Sequence, residues 1–206
     1  MELAVIDYGN GNLGSLLAAL HRLGQNPHVI HQTTDIVPVE GVIFPGVGSL
    51  EEVVNRLRHN GLLPWLTDLR AQSTPILGIC LGMQLFFEQG DEGGEGLGWL
   101  KGNVPSLQAP VLPHIGWNDV AVTDHPFLWH NIVRPIFYFV HTYRIQPHEA
   151  AIVRGITDYY ESFPVAIESG SLYGVQFHPE LSGPNGTRLL QNFLEVVETY
   201  GNMASR

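Results

Sequence analysis

Four short apolar runs, Leu3–Ile6, His28–His31, Val42–Phe44 and Pro75–Ile79, alternate with longer stretches of helical periodicity over the first half of the chain. Those stretches are Leu13–Leu23, Leu50–Arg58, Leu63–Arg70 and Leu81–Glu88. A helix placed between two strands carries the chain back so that the second strand lies parallel to the first. The alternation therefore predicts an α/β fold, a central and mostly parallel sheet flanked by helices on both faces. The second half reads differently. Phe137–Tyr143, Ala151–Ile156, Val165–Glu168 and Leu172–Phe177 are short, β-rich and separated by turn residues, which predicts additional strands, antiparallel ones among them. A last segment, Thr187–Tyr200, puts Leu189, Leu190, Phe193, Leu194 and Val197 on one helical face. No repeat or linker interrupts residues 1–206, so the chain is read as one domain. Gln89–Gly96, "QGDEGGEG", is a polar glycine-rich loop to which the sequence assigns no purpose.

Composition narrows the function classes. Of 206 residues 44% are hydrophobic, enough for a substantial core. The formal net charge is -10 and no basic run occurs, which argues against nucleic acid as a partner. Cys80 is the one cysteine, so no internal disulfide can form and a reducing cytoplasmic setting is expected. The start, Met1-Glu2-Leu3, lacks the basic and apolar regions of a signal peptide, and no apolar run approaches the roughly 20 residues that span a bilayer.

The strongest local signal is Gly78-Ile79-Cys80-Leu81-Gly82, where an apolar strand runs straight into a helix. This is the G-x-nucleophile-x-G elbow with cysteine in the nucleophile position. A turn that sharp brings the flanking positions against neighbouring backbone, where glycine fits. It also lifts the thiol above the sheet at a helix N-terminus, where unpaired N–H groups favour a thiolate. The N–H of Leu81 is then placed to donate to an oxyanion. A lone cysteine is more often a buried structural residue; the paired glycines at a strand end favour the nucleophile. A tyrosine phosphatase is excluded, because its arginine would fall at Phe86.

A thiol nucleophile needs a base, and ten histidines compete for the role. His178 closes another strand run, in "VQFHPE", and Pro179 biases it towards extended backbone. Residues two apart on an extended chain share a side, so Glu180 is placed to accept the Nδ1–H of His178. His114, His125, His130, His141 and His148 mostly read as solvated surface residues. No histidine falls in a metal-binding spacing, so no metal is expected.

Together these pieces resemble a known family. "GICLGMQ" (78–84) and "VQFHPE" (175–180) look like the nucleophile and His-x-Glu motifs of class I glutamine amidotransferases. "DYGNGNL" (7–13), "PGVG" (45–48), "PHIGWN" (113–118) and "YFVHTYR" (138–144) resemble the glutaminase subunits of imidazole glycerol phosphate synthase. The resemblance implies a Cys80–His178–Glu180 triad that hydrolyses glutamine to glutamate and ammonia through a Cys80 thioester. It implies an oxyanion hole of Leu81 and Val47 N–H groups, and glutamine held by Gly48, Gln84, Thr142 and Tyr143. It implies a (β/α)₈-barrel cyclase as heterodimer partner, which uses the ammonia to make imidazole glycerol phosphate and aminoimidazole carboxamide ribotide in histidine biosynthesis, and no cofactor. Two positions depart from the pattern: Ile115 stands where methionine is frequent, and Leu181 where many members carry lysine.

The glycines near the start need a separate account. Gly9–Gly14 has the G-x-G-x-x-G form of a dinucleotide loop. Asp7 would repel a pyrophosphate, and the next strand ends without an acid for the ribose, Asp35 lying beyond it. The NAD reading is therefore set aside. Asn10 and Asn12 are instead expected to couple partner binding to the 45–48 segment, against the alternative of a plain tight turn. A stand-alone γ-glutamyl hydrolase is the main rival. A glutaminase serving another synthase, such as that for pyridoxal phosphate, and a catalytically dead binding subunit are further alternatives.

Overall fold

The computed structural model describes residues 1–9, 13–124 and 126–204. The expectations for Asn10, Asn12 and His125 lie outside the described residues. The first half follows the predicted alternation within one residue at each boundary: β1 (Leu3–Ile6), α1 (Leu13–Arg22), β2 (His28–Ile30), β3 (Gly41–Phe44), α2 (Leu50–His59), α3 (Leu62–Ala71) and β4 (Ile76–Ile79). Ser49 caps α2 by accepting the Glu52 N–H at 3.3 Å. Glu51 and Glu52 in its first turn, with Arg56, Arg58 and His59 in its last, oppose the helix dipole.

The helix after Cys80 is far shorter than predicted. It covers Leu81–Gln84 only (α4), not Leu81–Glu88. Phe86 and Phe87 donate to the carbonyls of Met83 and Gln84, the tighter three-residue spacing that closes a helix. The carbonyls of Leu85, Phe86 and Phe87 then accept from Leu97, Leu100 and Gly98 at 2.7, 2.8 and 3.0 Å. A returning segment thus takes the acceptors that further helix would need to keep. A Cβ on Gly96 would collide with the Phe87 carbonyl, so that return requires glycine.

The chain continues through β5 (Gln89–Gly90), β6 (Gly102–Val104), β7 (His114–Asp119), β8 (Ala121–Val122), β9 (Ile136–His141) and β10 (Gln146–Pro147). It then runs through β11 (Val153–Tyr159), β12 (Glu161–Ser169), β13 (Leu172–Val175) and α5 (Gly183–Ala204). The expected strand Ala151–Ile156 begins later, at Val153, because Ala150–Ile152 form a 3₁₀ turn closed by the Val153 N–H on the Ala150 carbonyl.

The main sheet has eight strands in the order β2-β1-β3-β4-β13-β12-β11-β8. Pairing is parallel from β2 through β13 and antiparallel from β13 to β8. Alternation along each strand divides the core. Leu3, Val5, Ile43 and Leu77 pack against α1 and α5, whereas Ala4, Ile6, Val42 and Ile76 pack against α2 and α3. Helices therefore cover both faces, the condition for a buried parallel sheet. β7 and β9 form a separate antiparallel ribbon, and β5, β6 and β10 a small second sheet.

Candidate active site

Strand order brings the site together. β4 lies between β3 and β13, all parallel, so the segments leaving their C-terminal ends are neighbours. Cys80 leaves β4, Pro45–Gly48 leaves β3 on one side, and Gln176–His178 follows β13 on the other. Sites in open α/β sheets form at such strand ends.

Cys80 has φ 54° and ψ −113°, a backbone region that side chains disfavour. The surrounding contacts hold it there. Its N–H donates to the Val175 carbonyl at 2.7 Å. A Cβ on Gly78 would lie 2.6 Å from Gly82 and Met83 backbone, and one on Gly82 would overlap the Phe44 carbonyl. The elbow glycines thus answer real contacts, as the sequence suggested. With α4 reduced to one turn, the dipole behind Cys80 is smaller than an eight-residue helix would give.

His178 is buried, and its Nδ1 lies 2.8 Å from Glu180 Oε1, itself buried. The contact expected from strand alternation exists, but the backbone reaches it by another route. β13 stops at Val175, and Glu180 lies on a 3₁₀ turn, Pro179–Leu181, that swings its carboxylate under the ring. Ser182, which sequence reasoning missed, fixes that turn. Its hydroxyl donates to the His178 carbonyl at 2.6 Å and accepts the Tyr138 N–H at 2.9 Å. His178 Nε2 makes no hydrogen bond among the described residues. Burial alone would lower the basicity of this imidazole; the adjacent Cys80 sulfur, and after it Glu180, overcome that and push His178 up to about 10.

A cavity of about 270 Å³ opens beside the sulfur. Val47, Gly48, Leu81 and Gln84 line it with Cys80 on one side. Val140, His141, Thr142 and Tyr143 close the other. Every residue expected to bind glutamine or to form the oxyanion hole is among them. That volume lies at the lower end of the roughly 300–1,000 Å³ usual for small-molecule pockets, which suits one amino acid rather than a nucleotide. A hollow of about 390 Å³ between β13 and α5, lined by Tyr173 and Tyr200, is larger, but no nucleophile, base and acid converge there.

Tyr8 and two histidines complete the surroundings. The buried Tyr8 hydroxyl donates to the Pro45 carbonyl at 2.7 Å, joining the end of β1 to the 45–48 segment. Burial pushes this phenol above the ordinary tyrosine range, opposed by the Val47 backbone N–H beside it. His114 and His141 correct the surface reading, being only 3% and 6% exposed. His114 is stacked on Phe139 and Tyr159, and its Nδ1 lies 3.0 Å from His141 Nε2. The Tyr143 carbonyl can only accept, so His141 Nδ1, 2.8 Å away, carries the proton. His141 Nε2 must then accept from His114. Burial drives both rings down, to about 4 for His114 and about 3 for His141, so both are neutral.

Among the described residues, no group of three or more His, Cys, Asp or Glu side chains could hold a metal ion, and no helix is long and apolar enough to cross a membrane. Comparison with known proteins agrees with the geometry. The family model "Glutamine amidotransferase class-I" matches residues 4–197. The chain belongs to the class-I glutamine amidotransferases. Among curated relatives, the imidazole glycerol phosphate synthase subunit HisH of Moorella thermoacetica is 43% identical over 204 residues, 97% of each chain. The subunit of the same name from Carboxydothermus hydrogenoformans is 42% identical, over 94% of this chain and 98% of its own. Two solved structures share the amidotransferase fold at 18% identity. A crystal structure of a glutamine amidotransferase and PurLQS from Thermotoga maritima each have a TM-score of 0.76, over 95% of this chain and 98% of theirs.

Proposed function

We propose that this amidotransferase hydrolyses glutamine to glutamate and ammonia and delivers the ammonia to a (β/α)₈-barrel cyclase, as the glutaminase subunit of an imidazole glycerol phosphate synthase in histidine biosynthesis. The observation that carries the reading is that Cys80, with His178 beside it and Glu180 held against His178, lines a cavity the size of one amino acid. Near full-length identity to subunits of that synthase supports the choice of pathway.

Cys80 Sγ attacks the side-chain carbonyl carbon of glutamine, and the electron pair moves onto oxygen. Leu81 N–H, a first-turn amide with no acceptor inside its helix, receives that oxyanion, joined by Val47 N–H once it turns from the Tyr8 hydroxyl that it faces here. The C–N bond then breaks as His178 Nε2 gives its proton to the departing nitrogen, leaving a γ-glutamyl thioester. Water attacks next, His178 takes its proton, and glutamate leaves with the thiolate restored. Glu180 holds the ring through Nδ1 and stabilises the imidazolium. Gly48, Gln84, Thr142 and Tyr143 hold the substrate. Both amide hydrogens of Gln84 are already committed, to the Tyr143 carbonyl and to Gln176 Oε1, each at 3.0 Å, so Gln84 offers substrate only its oxygen.

The surface beside the cavity supports a partner. On the β7–β9 ribbon, Ile115 faces Val140 and Trp117 faces Tyr138 across the strands. Ile115 and Trp117 are nearly 60% exposed, and their apolar face runs from the cavity wall outwards. The test is glutamate release by the protein alone and with a purified cyclase subunit plus its nucleotide ligand. Weak turnover alone and strong stimulation in the complex are expected, with Cys80→Ser abolishing both. Brisk turnover that the cyclase leaves unchanged would instead identify an independent γ-glutamyl hydrolase.

A further inference from the structure

We propose that Gln176 is a further catalytic residue, whose side-chain N–H donates to the Cys80 sulfur and holds it as the reactive thiolate. Gln176 is fully buried, with Nε2 at 3.4 Å from Cys80 Sγ and Oε1 at 3.0 Å from Gln84 Nε2. An amide can be turned end for end without changing its shape, so the assignment of donor and acceptor has to be argued. Here the neighbours decide it. The Tyr143 carbonyl has no hydrogen to give, so the Gln84 atom 3.0 Å from it is the nitrogen. That nitrogen also faces Gln176, which must present its oxygen there. The remaining end of Gln176, an N–H, is then the one aimed at sulfur.

Backbone geometry sets the reach. Gln176 precedes His178 by two positions, and its own N–H is held by the Val165 carbonyl at 2.8 Å. Gln84 lies one helical turn beyond Cys80, its N–H donating to the Cys80 carbonyl at 3.2 Å. Sulfur is thereby approached by His178 as base and by Gln176 as a permanent neutral donor. An N–H donor stabilises a thiolate more than a thiol, because the charged acceptor makes the stronger bond. Attack on glutamine begins from the thiolate.

The assignment rests on the amidotransferase reading, but its test does not need glutamine or a partner. The rate of Cys80 alkylation by iodoacetamide is measured from pH 5 to pH 10 in the full chain and in two variants. Gln176→Met removes the donor and keeps the volume. Gln176→Leu removes the donor with a second uncharged side chain of similar volume, so the pair does not depend on one variant folding. Alkylation at pH 7 is expected to slow about tenfold, with the rate–pH curve moved to higher pH, for loss of one bond to a charged group. With the cyclase present, kcat for glutamine should fall while KM changes little. A packing role would alter stability and KM and leave the alkylation curve in place. An unmoved curve in either folded variant overturns the proposal. A moved curve in a protein that never hydrolyses glutamine would overturn the glutaminase reading and leave the role of Gln176 standing.

Discussion

The Tyr8 hydroxyl donates to the Pro45 carbonyl across 2.7 Å, linking the loop after β1 to the segment that passes Cys80. Tyr8→Phe keeps the ring and strands that carbonyl in a buried place. A loss of about 1–3 kcal/mol in unfolding free energy is expected from urea denaturation. Glutaminase kcat should fall as well, because the same segment supplies Val47 and Gly48 to the cavity. An unchanged kcat would show that the tie serves stability alone.

Glu180→Gln tests the charge beneath His178 while preserving its shape. Loss of the carboxylate removes one of the two interactions that hold His178 protonated. The expected fall in kcat is about 10²- to 10⁴-fold, the range for a general acid–base contribution. Steady-state glutamate release in the complex measures it.

Stability should fall away on both sides of neutrality, for different reasons. In the unfolded chain His114 and His141 bind protons near pH 6.5, but in the fold only near 4 and 3. Between those values the unfolded state holds more protons, so acidification destabilises the protein, by about 1.4 kcal/mol per pH unit for each ring. His178 acts oppositely, since its folded value of about 10 lies above 6.5. Its contribution is complete below pH 6.5 and disappears as pH rises towards 10. Urea midpoints from pH 4 to pH 10 should trace both limbs, and His178→Gln should flatten the alkaline one.

Gly82→Ala places a methyl group on the Phe44 carbonyl. The strand end and the elbow cannot both keep their positions, so a loss of about 3 kcal/mol or more is expected in thermal or urea unfolding. Gly14→Ala, where a Cβ meets nothing within 4 Å, is the matched control and should leave stability within about 1 kcal/mol.

What the sequence disclosed about the site was local. Cys80 between glycines and His178 two residues before Glu180 carry their chemistry in adjacent positions, and the apolar alternation of residues 3–79 sets the sheet. What it concealed depends on partners distant along the chain. The elbow helix looked long because its periodicity continues to Glu88; it ends where carbonyls are captured by residues 97–100. His114 and His141 looked like surface residues because their burial comes from Phe139, Tyr159 and Phe163, brought over them by the ribbon and the sheet edge. Gln176 could have been found by applying the two-residue spacing backwards from His178 as well as forwards. Ser182 gave no comparable signal, since its partner Tyr138 lies on another strand.

The glycine-rich stretch 89–96 also changes meaning once its contacts are known. Glu92 accepts the first amide of α2, Leu50 N–H, at 3.1 Å, and Gly94 packs where a Cβ would strike Glu51. Its composition resembles a slack surface connection, the kind of place where a protein engineer would splice in a tag or reopen the chain for permutation. Here that choice would be poor. The stretch clamps the helix that follows Gly48, so a cargo inserted at Gly93 would pull on the cavity wall from behind, and a display fusion belongs at another surface turn.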